Sequence, residues 1–195
     1  QYRFTTHEFR FKHLVNNHYL WKMKFFSFLI AFSILLPLSA NPLEELRKEY
    51  MKALSDAEQA PQVYEMFLKV ENPSAKVLAY RGALEAILTR TTYNVFKKIN
   101  YLKKSKESFE EAVRKDPNNL EIRFMRLAVE HEIPDFLGMS ENIEADRKFV
   151  IENIDRFKAE NFPKPICKQI LSFMKKCNYF TNAQIQKFKG HLALN

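Results

Sequence analysis

Glycine is scarce in this chain. Only 3 of its 195 residues are Gly, and β-branched residues seldom stand next to one another. Tight β-turns rely on glycine and strands rely on β-branched runs, so this composition disfavours a β fold. Three glycines in unrelated contexts also cannot form the glycine-rich loop that cradles a phosphate. What remains is a chain rich in Lys, Leu, Glu, Ala and Phe, which is typical of amphipathic helices with an aromatic-filled core.

Histidine and cysteine are also few. Beyond residue 40 there are two histidines, His131 and His191, and neither lies in the signature of a Ser-His-Asp or Cys-His site, so no catalytic residue is predicted. Cys167 and Cys177 fall on one predicted helix about 15 Å apart, too far for a disulfide, which needs Cα atoms within about 7 Å. Cys177 lies on the apolar stripe and is predicted to be buried. Cys167 lies off its centre and is the candidate reactive thiol.

A secretory signal peptide is predicted over residues 23–40. Met23-Lys24 gives a short basic start, and the apolar run FFSFLIAFSILLPLSA ends in small residues. The run has about 16 residues, fewer than the roughly 20 that span a bilayer, so an uncleaved membrane anchor is the less favoured alternative. No Cys follows Ala40, which disfavours a lipid-anchored lipoprotein.

The leader divides the chain into three predicted parts. Residues 1–22 do not begin with Met and are interpreted as translation upstream of the true start at Met23. Residues 23–40 are the signal peptide, and residues 41–195 form a single domain. The predicted location is therefore outside the cytoplasm, either periplasmic or extracellular.

The net charge of +8 is concentrated at the start of the chain. Residues 1–40 carry 5 Lys or Arg and 1 Glu, which leaves the other residues near +4. A surplus that small predicts no nucleic-acid partner. Residues 161–195 contain six Lys and no acidic residue, which makes a peripheral contact with an anionic membrane an alternative to a simple solvated face.

Prolines and apolar periodicity predict eight helices paired into four hairpins. The predicted spans are about residues 42–55, 62–70, 75–88, 95–116, 120–132, 140–157, 166–177 and 182–192. Within the fourth helix the expected buried residues are Ile99, Leu102, Phe109, Ala112 and Val113. In the seventh they are Ile166, Ile170, Phe173, Met174 and Cys177. The spacing between hairpins is irregular, which indicates degenerate hairpins rather than a sharp repeat.

One of these hairpins resembles a tetratricopeptide repeat (TPR). The positions that match the aromatic, small and proline positions of that pattern are Phe96, Ser105, Phe109, Ala112 and Pro117. Gly82 is similar to the glycine of the unit, but it lies about 11 residues further upstream than the pattern places it. The resemblance implies an all-α protein of stacked antiparallel hairpins, wound into a superhelix whose concave surface binds peptides or proteins. It therefore implies a non-catalytic binding or scaffolding module.

Three charged residues on the fifth predicted helix form the candidate binding site. Arg123, Arg126 and Glu130 lie at i, i+3 and i+7, on one face of an otherwise apolar helix. Two guanidinium groups on one face suit a partner carboxylate, which they contact with a two-pronged donor geometry. Alternatively, the arginines pair with Asp and Glu residues of the next hairpin.

A hydrolase or metal-dependent enzyme is the alternative class of function, placed in the region Glu130–Asp135. Glu130, His131, Glu132 and Asp135 are the nearest approach to a set of metal ligands. Adjacent residues on a helix point about 100° apart, so consecutive side chains converge on an ion only if the helix unwinds at Pro134. A solvated helix end is the favoured interpretation, and no metal or cofactor is predicted.

Overall fold

The computed structural model of the chain describes residues 42–156 and 164–191. The predicted upstream segment (residues 1–22) and the predicted signal peptide (residues 23–40) lie outside the described residues, as does Leu192. None of the helices described is long and apolar enough to cross a membrane.

The described part of the chain is all-α. Its eight α-helices are α1 (Pro42–Ser55), α2 (Ala60–Leu68), α3 (Ala75–Leu88), α4 (Val95–Lys115), α5 (Leu120–His131), α6 (Ile143–Glu152), α7 (Lys164–Lys176) and α8 (Asn182–His191). Short 3₁₀ turns lie at Ala57–Gln59, Thr89–Thr91, Asp135–Leu137 and Ile154–Arg156. No strand occurs in these two described stretches. The predicted all-α class and the predicted number of helices are confirmed.

Side-chain caps define where several helices begin. Ser74, Asn94 and Asn119 each accept a hydrogen bond from the backbone N–H three residues further along, at 3.4, 3.1 and 3.3 Å respectively. Thr181 does the same for α8 at 3.3 Å. Because each cap satisfies a backbone donor that the first turn leaves unpaired, these residues mark the starts of α3, α4, α5 and α8 in the sequence.

The sixth helix is shorter than predicted at both ends. The prediction began it at Ser140 or Glu141, whereas α6 begins at Ile143. The carboxylate of Glu130 accepts a hydrogen bond from the backbone N–H of Asn142 at 2.9 Å, and this bond holds the loop before α6 against α5. At the other end α6 stops at Glu152 and a 3₁₀ turn follows.

Helices α3 and α4 form an antiparallel hairpin with a close contact at Gly82. A Cβ atom added to Gly82 would lie 2.9 Å from a ring carbon of Phe109 and 3.1 Å from the carbonyl oxygen of Ser105. The two helices can therefore approach this closely only because Gly82 has no side chain. The contact lies within a small core cluster, in which Phe109 packs with Leu78, Ala79, Ala83, Ala112 and Ile122.

The larger core joins α1, α2, α3, α5, α6, α7 and α8. Its most deeply buried large side chains include Phe67, Tyr80, Leu127 and Phe188. The predicted stripe on the seventh helix contributes Ile166, Ile170, Met174 and Cys177, while Phe173 is half-buried.

The predicted buried face of the fourth helix is confirmed at two of its five positions. Phe109 and Ala112 are buried, whereas Ile99, Leu102 and Val113 are half-buried. In the first turn of α4 the apolar residues Val95 and Phe96 are exposed to solvent.

Candidate functional site

The two predicted arginines converge on a buried carboxylate. Arg126 donates from Nε and Nη2 to the two oxygens of Asp146 on α6, at 2.6 and 2.8 Å. Arg123 donates from Nη1 to the same carboxylate at 2.6 Å and from Nε to the carbonyl oxygen of Pro117 at 3.1 Å. Asp146 is 0 % exposed and Arg126 is 5 % exposed. The arginines thus pair with an acidic residue, but Asp146 belongs to their own hairpin, α5 and α6, and not to the next hairpin that the sequence analysis offered as the alternative to partner binding.

Glu130, the third predicted residue, is held by the loop before α6. Its carboxylate accepts from the side-chain amide of Asn142 at 2.8 Å and from the backbone N–H of Asn142 at 2.9 Å. Burial raises the pKa of the Glu130 carboxyl group, and the two hydrogen bonds oppose that rise. Arg123, Arg126 and Glu130 thus lie together on the face of α5 that packs against α6. Their role in binding a partner stays a prediction.

The other face of α5 lines a cavity of about 580 Å³. Helices α1, α3 and α7 supply most of the remaining wall, and most of the lining is aliphatic or aromatic. Representative lining residues are Met51, Leu54, Ile87, Met125, Ala128 and Phe173. A concave apolar surface of this size, bounded by several helices, is the usual form of a ligand site in a helical protein.

The edge of the cavity is polar and solvent-exposed. It carries two cations, Arg90 and Lys176, one anion, Glu132, and the uncharged side chains of Gln169 and Ser172. An apolar interior with few charged groups at its edge favours an amphipathic ligand, because the interior excludes water while the edge fixes orientation.

A buried ionic network supports the floor of the cavity. Arg47 on α1 donates to both oxygens of Glu121 at 2.6 and 2.7 Å, and Tyr80 on α3 donates to Glu121 at 2.6 Å. Lys76 is the third partner, 2.9 Å from Glu121. Burial raises the pKa of the Tyr80 hydroxyl. Because the carboxylate of Glu121 on α5 binds groups from α1 and α3, the network fixes these three helices of the cavity relative to one another.

Sequence reasoning missed this network and the cavity. Glu121 stands in the first turn of α5, where an acidic residue is common simply because it complements the helix dipole. Nothing in its local sequence distinguishes it from an exposed residue. The apolar residues on both sides of α5 were the available signal, since a helix that is apolar around most of its circumference is covered on more than one side.

Another buried carboxylate, that of Glu85, joins α2, α3 and α4. It accepts from the hydroxyl of Tyr64 at 2.8 Å and from that of Ser108 at 2.7 Å. Arg81 lies 3.9 Å from the carboxylate. Burial raises the pKa of Glu85, although these hydrogen bonds and the nearby cation favour the charged form.

The region of the alternative enzyme hypothesis packs as a helix end. Nδ1 of His131 lies 2.9 Å from the hydroxyl of Tyr179, and the imidazole ring stacks edge-on against Phe173 and Tyr179. Asp135 lies beyond the helix in a 3₁₀ turn. Among the described residues, no group of three or more His, Cys, Asp or Glu side chains is arranged to hold a metal ion.

Both cysteines are buried thiols, and no disulfide joins them. Cys167 is 2 % exposed and Cys177 is 4 % exposed, and burial raises the pKa of each thiol. Cys177 is buried as predicted. Cys167 does not have the exposure or the lowered pKa of a reactive thiol, because the apolar face of α7 is wide enough to include it.

Comparison of the chain with protein-family models, with curated proteins and with solved structures finds no match to any of them.

Proposed function

We propose that the protein is an exported, non-catalytic module of TPR-like helical hairpins that binds a partner polypeptide in the cavity between α1, α3, α5 and α7. The observation that carries this proposal is the cavity itself, which combines about 580 Å³ of mainly apolar space with charged residues at its open edge. An amphipathic peptide helix matches both features, because its apolar face fills such a groove while its polar face stays in solvent.

Two observations support the TPR-like component. The contact of Gly82 with Phe109 and Ser105 unites the residues on which the resemblance rests. Arg126 contacts Asp146 and Glu130 contacts Asn142, so α5 and α6 run antiparallel, as α3 and α4 do. The proposal of export rests on the predicted signal peptide over residues 23–40.

The test is selection of binders from a displayed library of random peptides, with the full chain as bait. We expect the selected peptides to carry apolar residues at i, i+3 or i+4 and i+7, as groove-binding helices do. Titration calorimetry of a selected peptide then measures its affinity for the wild-type chain and for variants.

Ala128→Trp is the informative variant, because Ala128 lines the cavity and an indole ring would occupy part of it. We expect peptide affinity to fall at least about tenfold, equivalent to about 1.4 kcal/mol. Ala145→Trp is the matched control, since Ala145 is exposed on α6 and is not among the cavity-lining residues. Met125→Ala, which removes apolar contact area from the cavity wall, replaces Ala128→Trp if circular dichroism shows that the latter is unfolded.

Failure to select any peptide, or equal affinity of Ala128→Trp and wild type for the selected peptide, would reject binding in the cavity.

A further inference from the structure

The connection between α3 and α4 is the most basic part of the chain. Residues 86–106 contain six Lys or Arg and no Asp or Glu. This stretch includes the end of α3, the turn Thr89–Thr91 and the first half of α4. The acidic residues resume on either side, at Glu85 and Glu107. Positive charge is therefore concentrated at one end of the α3–α4 hairpin.

Three apolar side chains stand in solvent within this basic stretch. Tyr93 is 101 % exposed, Phe96 is 85 % exposed and Val95 is 63 % exposed. In the described part of the chain the other exposed large apolar side chains, Leu68 and Phe136, are isolated in the sequence. Tyr93, Val95 and Phe96 are hereafter called the aromatic tip. A cluster of exposed aromatic residues indicates a surface that contacts something other than water.

Several cations lie close to the aromatic tip in the sequence. The exposed or half-exposed basic residues nearest to it in sequence are Arg90, Lys97, Lys98, Lys103 and Lys104. Lys103 follows Phe96 at i+7 and therefore lies on the same side of α4, while Lys97 and Lys104, at i+1 and i+8, lie about 100° and 80° around the helix from it. All three lysines are exposed. Among the described residues none of these five cations forms a salt bridge, in contrast to Lys106, which lies 2.7 Å from Glu141.

We propose that the aromatic tip and its cations dock the protein on an anionic lipid bilayer. Aromatic rings with a polar end are favoured at the level of lipid headgroups, and each lysine near an anionic membrane adds attraction. The exposure and charge of the tip favour an anionic bilayer. Tyr93 is fully exposed between α3 and α4, so its ring can enter the headgroup layer without rearrangement of the helices, while the neighbouring cations face anionic headgroups. This surface is distinct from the Lys-rich segment at residues 161–195, and of its residues Arg90 alone also lines the peptide cavity.

The test is flotation of the full chain with phosphatidylcholine vesicles, with and without phosphatidylglycerol. We expect the chain to float with the anionic vesicles at low salt. At roughly 1 M salt the Debye length shrinks to about 3 Å, and we expect the chain to be released. Without phosphatidylglycerol we expect little flotation.

Variants assign the contact to the tip. Tyr93→Ala with Phe96→Ala should lower vesicle partitioning by roughly tenfold or more, because the variant lacks two rings whose apolar surface would be buried in the bilayer. Phe136→Ala, at a site 86 % exposed outside the tip, is the matched control and should not change it. Lys97→Gln with Lys98→Gln should weaken partitioning by roughly fivefold per lysine. The control for charge is Lys48→Gln with Lys69→Gln, which removes two exposed lysines of α1 and the end of α2.

Three results would each overturn the proposal. In the first, the wild-type chain does not float with anionic vesicles at low salt. If beads carrying polyglutamate then capture the chain through the tip, the tip binds an acidic protein instead. In the second, the tip variants float as well as wild type. In the third, Lys168→Gln with Lys175→Gln abolishes flotation while the tip variants retain it, which would assign the contact to α7. Ala128→Trp, which changes the cavity and leaves the tip intact, should float like wild type. Flotation is therefore independent of whether the cavity binds a peptide.

Discussion

Arg126 and Asp146 form a buried ion pair that joins α5 to α6. Two hydrogen bonds of 2.6 and 2.8 Å connect the guanidinium to the carboxylate, and Arg123 reaches the same carboxylate at 2.6 Å. The guanidinium of Arg123 also lies 5.0 Å from the ring centre of Phe149. The pair lies on the opposite side of α5 from the cavity. It therefore supports the position of the helix that lines the cavity rather than contacting the cavity's contents.

Replacing Asp146 with Asn should destabilise the fold strongly. The substitution leaves the guanidinium of Arg126, which is only 5 % exposed, without a counter-charge. Breaking a buried ion pair by changing one partner costs about 3–5 kcal/mol. We expect a loss of this size in the free energy of unfolding, measured by urea denaturation. Arg123→Ala with Arg126→Ala should destabilise for the same reason, so any loss of peptide binding in that variant must be compared with its stability.

Glu144→Gln is the control for this measurement. Glu144 lies on the same helix, its side chain is 76 % exposed and its partner Arg147 lies at 2.7 Å. Exposed ion pairs contribute at most about 1 kcal/mol, so the two substitutions should differ by several-fold in their cost. Equal costs would contradict a structural role for the buried pair.

Gly82→Ala should destabilise the protein although alanine is the better helix former. The added methyl group would lie 2.9 Å from the Phe109 ring and 3.1 Å from the backbone oxygen of Ser105, and a backbone atom cannot move aside cheaply. Overpacking of this kind costs about 1–3 kcal/mol, more than the roughly 1 kcal/mol that alanine gains in helix propensity. Urea denaturation measures the balance.

Gly190→Ala provides the matched comparison. Gly190 lies in α8, and a Cβ atom there would meet nothing within 4 Å. With no steric cost, the gain in helix propensity should stabilise the protein by up to about 1 kcal/mol. If Gly82→Ala stabilised the protein as much as Gly190→Ala, the close contact between α3 and α4 would not exist in solution.

The helices could be predicted from sequence because their determinants are local. Ser74 and Asn119 cap α3 and α5 by binding a backbone N–H three residues away, and apolar periodicity marks the buried face of α7. The buried ion pairs could not be predicted. Asp146 and Glu144 are both acidic residues in the first turn of α6, and only the position of α5 makes one of them 0 % exposed. The cavity likewise depends on how four helices meet.

The pH dependence of stability should reveal the buried carboxyl group of Glu85. Because burial raises its pKa above the ordinary value of 4.5, the folded state binds more protons than the unfolded state between the two values. The free energy of unfolding therefore falls as pH rises through this interval. Glu85→Gln removes the titration and retains an oxygen that can accept from Tyr64 or Ser108. We expect the stability of wild type, relative to the variant, to decrease as the pH rises from about 4.5 towards neutrality.

Urea denaturation of both proteins across that range gives the difference directly, since titrations common to both cancel. A difference that is independent of pH, or that increases with pH, would contradict the raised pKa of Glu85.

Thiol labelling should report unfolding rather than surface reactivity. Cys167 and Cys177 are 2 % and 4 % exposed, and burial raises the pKa of both thiols, so little thiolate is accessible in the folded protein at neutral pH. We expect a maleimide to label neither residue at an appreciable rate in native buffer, and to label both rapidly in urea. Ser172→Cys supplies the positive control, because Ser172 is exposed on the same helix and the introduced thiol should react at once. If Cys167 in the native protein reacted as fast as the thiol introduced by Ser172→Cys, α7 would not pack against the core as described.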